Sequence, residues 1–312
     1  MGPSNDVIIR PLKIGLERSV DAAIIYIDGM VNKNLINQDI LRPLMFHVQV
    51  IDQQPDLKIS HLIDFIQSSV VTVGDINPLT TISEVVASAL SGNTIIVIDG
   101  AQQALSIDVR GWNSRNIEEP KNEVSLKGAK VSFVETLRVN TSLIRRRIRD
   151  PRLTFESMQI GERSKTDVTI AYVKGITKDS LITEIKQRLQ RIHTDAILDA
   201  GYIEQFIEDS SISLFPTVGN TERPDVAAAK ILEGRAAILV DGSPIVLTVP
   251  LLFMEGFQNP DDYYARPYFA SLVRWFRLLA FILSVNLPGF YVSLMSYHQE
   301  MFPPALLVSV AT

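Results

Sequence analysis

The chain has 312 residues, 46% of them hydrophobic and 21% charged, which is the composition of a folded protein and a length for about two domains. The absence of cysteine excludes disulfide scaffolds, thiol catalysis and cysteine-ligated zinc or iron–sulfur centres. A formal charge of −5 argues against nucleic-acid binding through bulk positive charge.

In chain order, the N-terminal stretch MGPSNDVIIRPLKIG has no apolar run of the secretory kind. Three apolar runs then end in Asp-Gly: Ile24 to Gly29, Ile95 to Gly100 and Ala237 to Gly242. A β-branched run before Asp-Gly predicts a hairpin, because the tight turn needs positive φ. A fourth strand is predicted from Val168 to Val173, ending at Lys174-Gly175. Helices are predicted over Gln38 to Met45, Leu57 to Gln67, Ile82 to Leu90, Ser180 to Ile192, Ala200 to Ile207 and Val226 to Leu232. Gly92 stands where the third of these needs a C-cap. Alternating strands and helices together with hairpins predict an α/β fold with mixed sheets, arranged as two lobes.

Between the lobes, Gly111 to Lys130 reads as a polar linker, and the densest basic patch follows. At 100° per residue Phe133, Leu137, Ile144 and Ile148 share one helix face, while Arg138, Arg145 and Arg149 share another. With Arg146 these arginines are the candidate anion site or subunit interface; the plainer reading is a solvated helix side. No aromatics interleave with them, which speaks against single-stranded nucleic acid.

Beyond a turn-rich collar at Gln258 to Pro267, Leu278 to Tyr297 runs twenty residues without a charge, enough to cross a bilayer core as a helix. Arg266, Arg274 and Arg277 precede it and no Lys or Arg follows. The positive-inside rule then puts the large N-terminal part on the cytoplasmic side. Asn286 is polar at mid-span, and Pro288-Gly289 predicts a kink there. The expected organisation is a first α/β lobe (1–110), a linker and basic helix (111–150), a second lobe (151–257), a juxtamembrane collar (258–277), a transmembrane helix (278–297) and the start of a truncated apolar segment (298–312).

The four histidines are scattered with no pair at metal-ligand spacing. Phosphate loops, nucleophile elbows and zinc helices are not found. The expectation is no cofactor, no metal and no enzyme.

Ala87 to Leu105, Val139 to Leu153, Gly161 to Gly175, Thr221 to Asp225, Glu233 to Val249 and His298 to Met301 occur in the same order in the A subunit of GerA-type spore germinant receptors. The chain resembles that family from Ile24 to its end. The resemblance implies a two-lobed cytoplasmic domain followed by spans in the spore inner membrane. It also implies assembly with B and C subunits, oligomerisation of A subunits, contact with membrane lipid and an ion path. Together the subunits sense a nutrient, bound by this subunit or through a partner subunit, and trigger germination. Lys127-Gly128-Ala129-Lys130 stands where the family has an Arg-Gly-Pro-Arg-like loop before Phe133 and Glu135, so a proline is lost and both basic positions are kept. The family's remaining spans are missing, so this chain alone is not expected to form a pore.

On that reading, Arg145→Glu is expected to impair signalling without unfolding the cytoplasmic domain. The alternative is a soluble two-lobed small-molecule-binding module with a buried C-terminal tail.

Overall fold

Among the described residues ten strands, several of them rich in isoleucine and valine, assemble two five-stranded sheets. The computed structural model describes residues 4–14, 20–46, 63, 66, 76–111, 123, 130–209, 213 and 215–297. The predicted helix Leu57 to Gln67 (apart from Ile63 and Ile66), most of the linker and everything beyond Tyr297 lie outside the described residues.

In the first lobe β1 (Val7–Ile14) and β2 (Val20–Ile27) pair. A short helix α1 (Lys33–Leu35), capped by the Asn32 side chain, runs through a wide turn at Ile36–Leu41 into α2 (Arg42–Phe46). Next come β3 (Ile76–Leu79), α3 (Ile82–Leu90), β4 (Thr94–Ile98) and β5 (Ala104–Ile107). Helix α4 (Leu137–Arg147) leads into the second lobe. That lobe comprises β6 (Leu153–Ile160), β7 (Thr166–Val173), α5 (Asp179–Gln190) and α6 (Ala200–Ile207). It is completed by β8 (Gly219–Thr221), α7 (Pro224–Leu232), β9 (Ala236–Val240) and β10 (Val246–Val249).

The α/β class and the two lobes are as expected, but the mixed character of the sheets is not. Every ladder between named strands is antiparallel, in the orders β1-β2-β4-β5-β3 and β6-β7-β9-β10-β8. A single helix between strands is the usual parallel crossover. Here helices and an edge strand intervene between β2 and β4, and again between β7 and β9, so the chain returns antiparallel.

The two orders are one topology used twice, and the register agrees residue by residue. Ile24 faces Ile96 as Ile170 faces Ile238. The Asp99 amide donates to the Asp21 carbonyl at 2.8 Å, and the Asp241 amide to that of Asp167 at 2.9 Å. Helices α3 and α7 both end on a glycine at φ +94°, Gly92 and Gly234, as the C-cap reading of Gly92 expects.

The Asp99-Gly100 and Asp241-Gly242 pairs form the predicted hairpin turns. Asp28-Gly29 does not. It ends β2 and turns the chain toward Val31, which bridges Arg110, because β2 already has β1 and β4 as neighbours.

The second sheet is buried on both faces, which explains its continuous apolar runs. Ile170, Ile238 and Leu247 pack with Ile182, Ile185 and Ile203 of α5 and α6. Ala171, Val173 and Leu239 pack with Ile144 of α4 and Ile231 of α7. In the first lobe Ile24, Ile96 and Leu105 pack with Ile36, Ile40 and Leu44, while Ile95 and Ala104 meet Ala89 of α3.

A second compact unit begins at Leu252. It contains short turns at Phe253–Phe257 and Pro260–Tyr264, then α8 (Pro267–Tyr297). This helix has 31 residues, about 46 Å at 1.5 Å per residue, and starts well before the uncharged stretch. It continues through Pro288 rather than breaking there. None of its apolar eighteen-residue window is buried, so the described part of the C-terminal tail is not buried as the alternative reading expects.

Candidate functional site

The first turn of α4 takes its cap from the repeat turn of the second lobe. The Leu137 amide donates to the Asp241 carboxylate at 3.1 Å, and the Gly242 amide donates to the Glu135 carbonyl at 2.8 Å. One free amide of the helix start is thereby satisfied. The fully buried Asn140 pins the preceding loop, accepting from the Val134 amide at 2.9 Å and donating to the Val134 carbonyl at 2.5 Å. Asn140→Leu leaves both backbone groups unpaired, for an expected loss of about 1–3 kcal/mol, readable by urea unfolding.

The helix ends at Arg147, and Ile148 is already extended. The helical-wheel argument therefore holds for Leu137, Arg138, Ile144 and Arg145, and not for Phe133, Ile148 or Arg149. The apolar face packs on the second sheet. The opposite face is the surprise. Arg145 is 1% exposed, so this arginine is not part of a solvated face or an open anion site.

Its guanidinium forks onto Asp6, with Nε to Oδ2 at 2.8 Å and Nη2 to Oδ1 at 2.9 Å. It also reaches Ser4 Oγ and the Asp150 carbonyl, both at 3.3 Å, and lies 5.0 Å from the Phe155 ring centroid. Burial pulls its pKa down, opposed by Asp6. A bidentate fork of this kind is what a desolvated arginine needs to stay charged.

This pair belongs to a junction between the lobes. The Asn5 amide donates to the Phe155 carbonyl, and the Phe155 amide to Ser4 Oγ, both at 3.0 Å. Arg138, half-exposed, donates to the Asn5 carbonyl at 3.3 Å and lies 3.7 Å from Asp28, which Lys33 also engages at 2.7 Å. Gly29, at φ +84°, passes directly under the Arg138 carbonyl. Of the four candidate arginines, Arg138 and Arg145 are thus brought into the junction. Arg149 is exposed and Arg146 partly buried. Burial, then repulsion from Arg147 and Arg149, lowers the pKa of Arg146, so the positive field at the end of α4 comes from these three.

In the second unit Asp262, 8% exposed, receives Arg277 at 2.6 and 3.1 Å and Arg274 Nε at 3.4 Å. Hydrogen bonding from Arg277 is the largest cause that holds the Asp262 carboxyl below its ordinary 3.8. A depressed pKa contributes stability that is complete above the unfolded value and lost as pH falls through the folded one. Amide exchange of Asn259–Tyr264, corrected for its intrinsic rate, is therefore expected to stay slow to below pH 3.8 and then accelerate. Asp262→Asn removes that acid step. On α8 itself the Asn286 amide donates to the Ile282 carbonyl at 2.7 Å, so the helix satisfies this polar group by itself.

The architecture defines a class: a duplicated, two-lobed α/β unit followed by a second unit whose helix is long and apolar enough to cross a membrane. The family described as Bacillus/Clostridium GerA spore germination protein matches residues 1–312, and the chain belongs to that family. Spore germination protein KA of Bacillus subtilis (strain 168) is 40% identical over 311 residues, covering 100% of this chain and 56% of that protein. Spore germination protein GerLA of Bacillus cereus is 37% identical over 312 residues, covering 100% of this chain and 62% of that protein. The chain thus spans little more than half the length of the curated relatives it matches. The N-terminal domain of the A subunit of the Bacillus megaterium spore germinant receptor GerK3 has been solved as a crystal structure. It is 39% identical with a TM-score of 0.61, covering 81% of this chain and 91% of that one.

Proposed function

We propose that this chain works as the A subunit of a nutrient germinant receptor in the spore inner membrane, with its two lobes on the core side. The observation that carries the reading is the likeness, in sequence and in fold, to the A-subunit domain of GerK3 over 81% of the chain. The arginines before the uncharged stretch of α8, Arg274 and Arg277, support that orientation. The subunit acts through assembly and not through catalysis. B and C partners and further copies of A complete the receptor, a partner subunit takes the nutrient, and the lobes pass the change to α8 and an ion path.

Spores lacking this chain are expected to lose ion release in response to at least one nutrient, and to regain it when the gene is restored. An unchanged response to every nutrient tested would overturn the proposal. Burial moves the role of signalling probe from Arg145 to the surface arginine Arg149. Arg149→Glu is expected to slow nutrient-triggered ion release while leaving the unfolding midpoint unchanged. Normal germination would remove this end of α4 from the signal path.

A further inference from the structure

The turns at Phe253–Phe257 and Pro260–Tyr264 and the first half of α8 are sorted in layers along the helix. Arg274 and Arg277 close the charged part of α8, and both engage Asp262 of the Pro260–Tyr264 turn. Arg274 also lies 4.9 Å from the Tyr263 ring centroid. One turn further, inside the uncharged stretch, Phe281 meets the other turn. Its ring centroid is 5.0 Å from that of Phe257 and 6.4 Å from that of Phe253. Arg277 ties the layers together by donating to the Phe257 carbonyl at 3.4 Å.

The exposed face of this deeper turn is apolar: Leu252, Phe253 and Met254 are each more than half exposed. Its acid, Glu255, folds back to accept the Leu252 amide proton at 3.0 Å. A recess of about 240 Å³ beside it is lined by Met254, Phe257, Trp275 and Leu278 together with Gln258, Ser271 and Arg274. A contiguous exposed patch of this kind marks an interaction surface.

We propose that the segment 252–264 is a membrane-interface wedge, with Phe253 seated among lipid acyl chains at the depth of Phe281 and Leu252 and Met254 beside it at the interface. This rests on the reading of α8 as a span. The occupant follows from register, since groups stacked on the first turn of the uncharged stretch share its depth. The paired charges of Asp262, Arg274 and Arg277 then fall at the headgroup level, with Trp275 and Tyr263 as the aromatic belt.

The full chain is reconstituted in phosphatidylcholine–phosphatidylglycerol vesicles carrying bromine at a shallow or a deep acyl position. Both native tryptophans are replaced (Trp112→Phe, Trp275→Phe), and Phe253→Trp or Val285→Trp supplies a single emitter. Phe253→Trp is expected to lose emission in the shallow bromolipid and keep it against aqueous iodide. Val285→Trp is expected to lose emission most in the deep bromolipid. Quenching of Val285→Trp without quenching of Phe253→Trp by lipid overturns the wedge and leaves the span standing, whether iodide reaches the site (water) or not (protein). Failure of Val285→Trp to respond to either bromolipid overturns the span and the wedge with it.

Discussion

Arg145→Met is expected to destabilise the two-lobed unit by about 3–5 kcal/mol, because it leaves the Asp6 carboxylate buried and unpaired. Asp6 is 1% exposed and receives two charged hydrogen bonds from Arg145. Among the described residues the other side-chain hydrogen bond to it comes from Ser4 Oγ at 2.5 Å, too little to hold an isolated charge out of water. The loss is a property of the broken pair and not the worth of the intact one. Arg145→Met combined with Asp6→Leu is therefore expected to recover most of it. Urea unfolding followed by circular dichroism gives the three values, and amide exchange in β1 and α4 shows whether the loss is centred on the junction. A loss below about 1 kcal/mol for the single variant, the level of an exposed pair, would mean that water reaches Asp6. The same reasoning turns Arg145→Glu into a folding variant, since it sets a second carboxylate beside Asp6.

Local chemistry was legible in the sequence and long-range placement was not. The turns at Asp99-Gly100 and Asp241-Gly242, and the helix stop at Gly92, each follow from a few neighbouring residues. Asp28-Gly29 carries the same local signal, yet the strand it would pair with is replaced by a nonlocal neighbour. Arg145 looks like one more arginine on a polar face because its partner, Asp6, lies 139 residues away, in a segment with no pattern of its own. The role of Asn140 is hidden for a different reason. A polar residue inside a helix reads as solvated unless the loop it serves is known. The turn-rich character of the collar is visible in the sequence, whereas the layering around it depends on Asp262 reaching Arg277, 15 residues on. The duplication was half visible, in the recurring Asp-Gly runs, and became clear only when the two sheet orders matched.

That duplication supplies a matched pair of glycines for measuring how tightly the lobes are joined. Gly29 and Gly175 follow equivalent strands, at φ +84° and +80°. A Cβ on Gly175 would meet nothing within 4 Å, whereas on Gly29 it would lie 2.9 Å from the Arg138 carbonyl oxygen and 3.1 Å from Ser142 Cβ. Gly175→Ala is thus expected to carry only the left-handed backbone cost, about 1–2 kcal/mol. Gly29→Ala adds overpacking against backbone, for roughly 2–5 kcal/mol in all. The neighbour that must yield is the carbonyl of Arg138, so the extra cost falls on the seat of α4 and on the Arg138–Asn5 contact beside it. The difference between the two variants in urea unfolding, with faster amide exchange in α4 for Gly29→Ala alone, reads the packing between the lobes without touching a charge. Equal costs at the two glycines would show that α4 shifts away freely. A freely shifting α4 is incompatible with a helix that transmits a change in lobe packing toward α8.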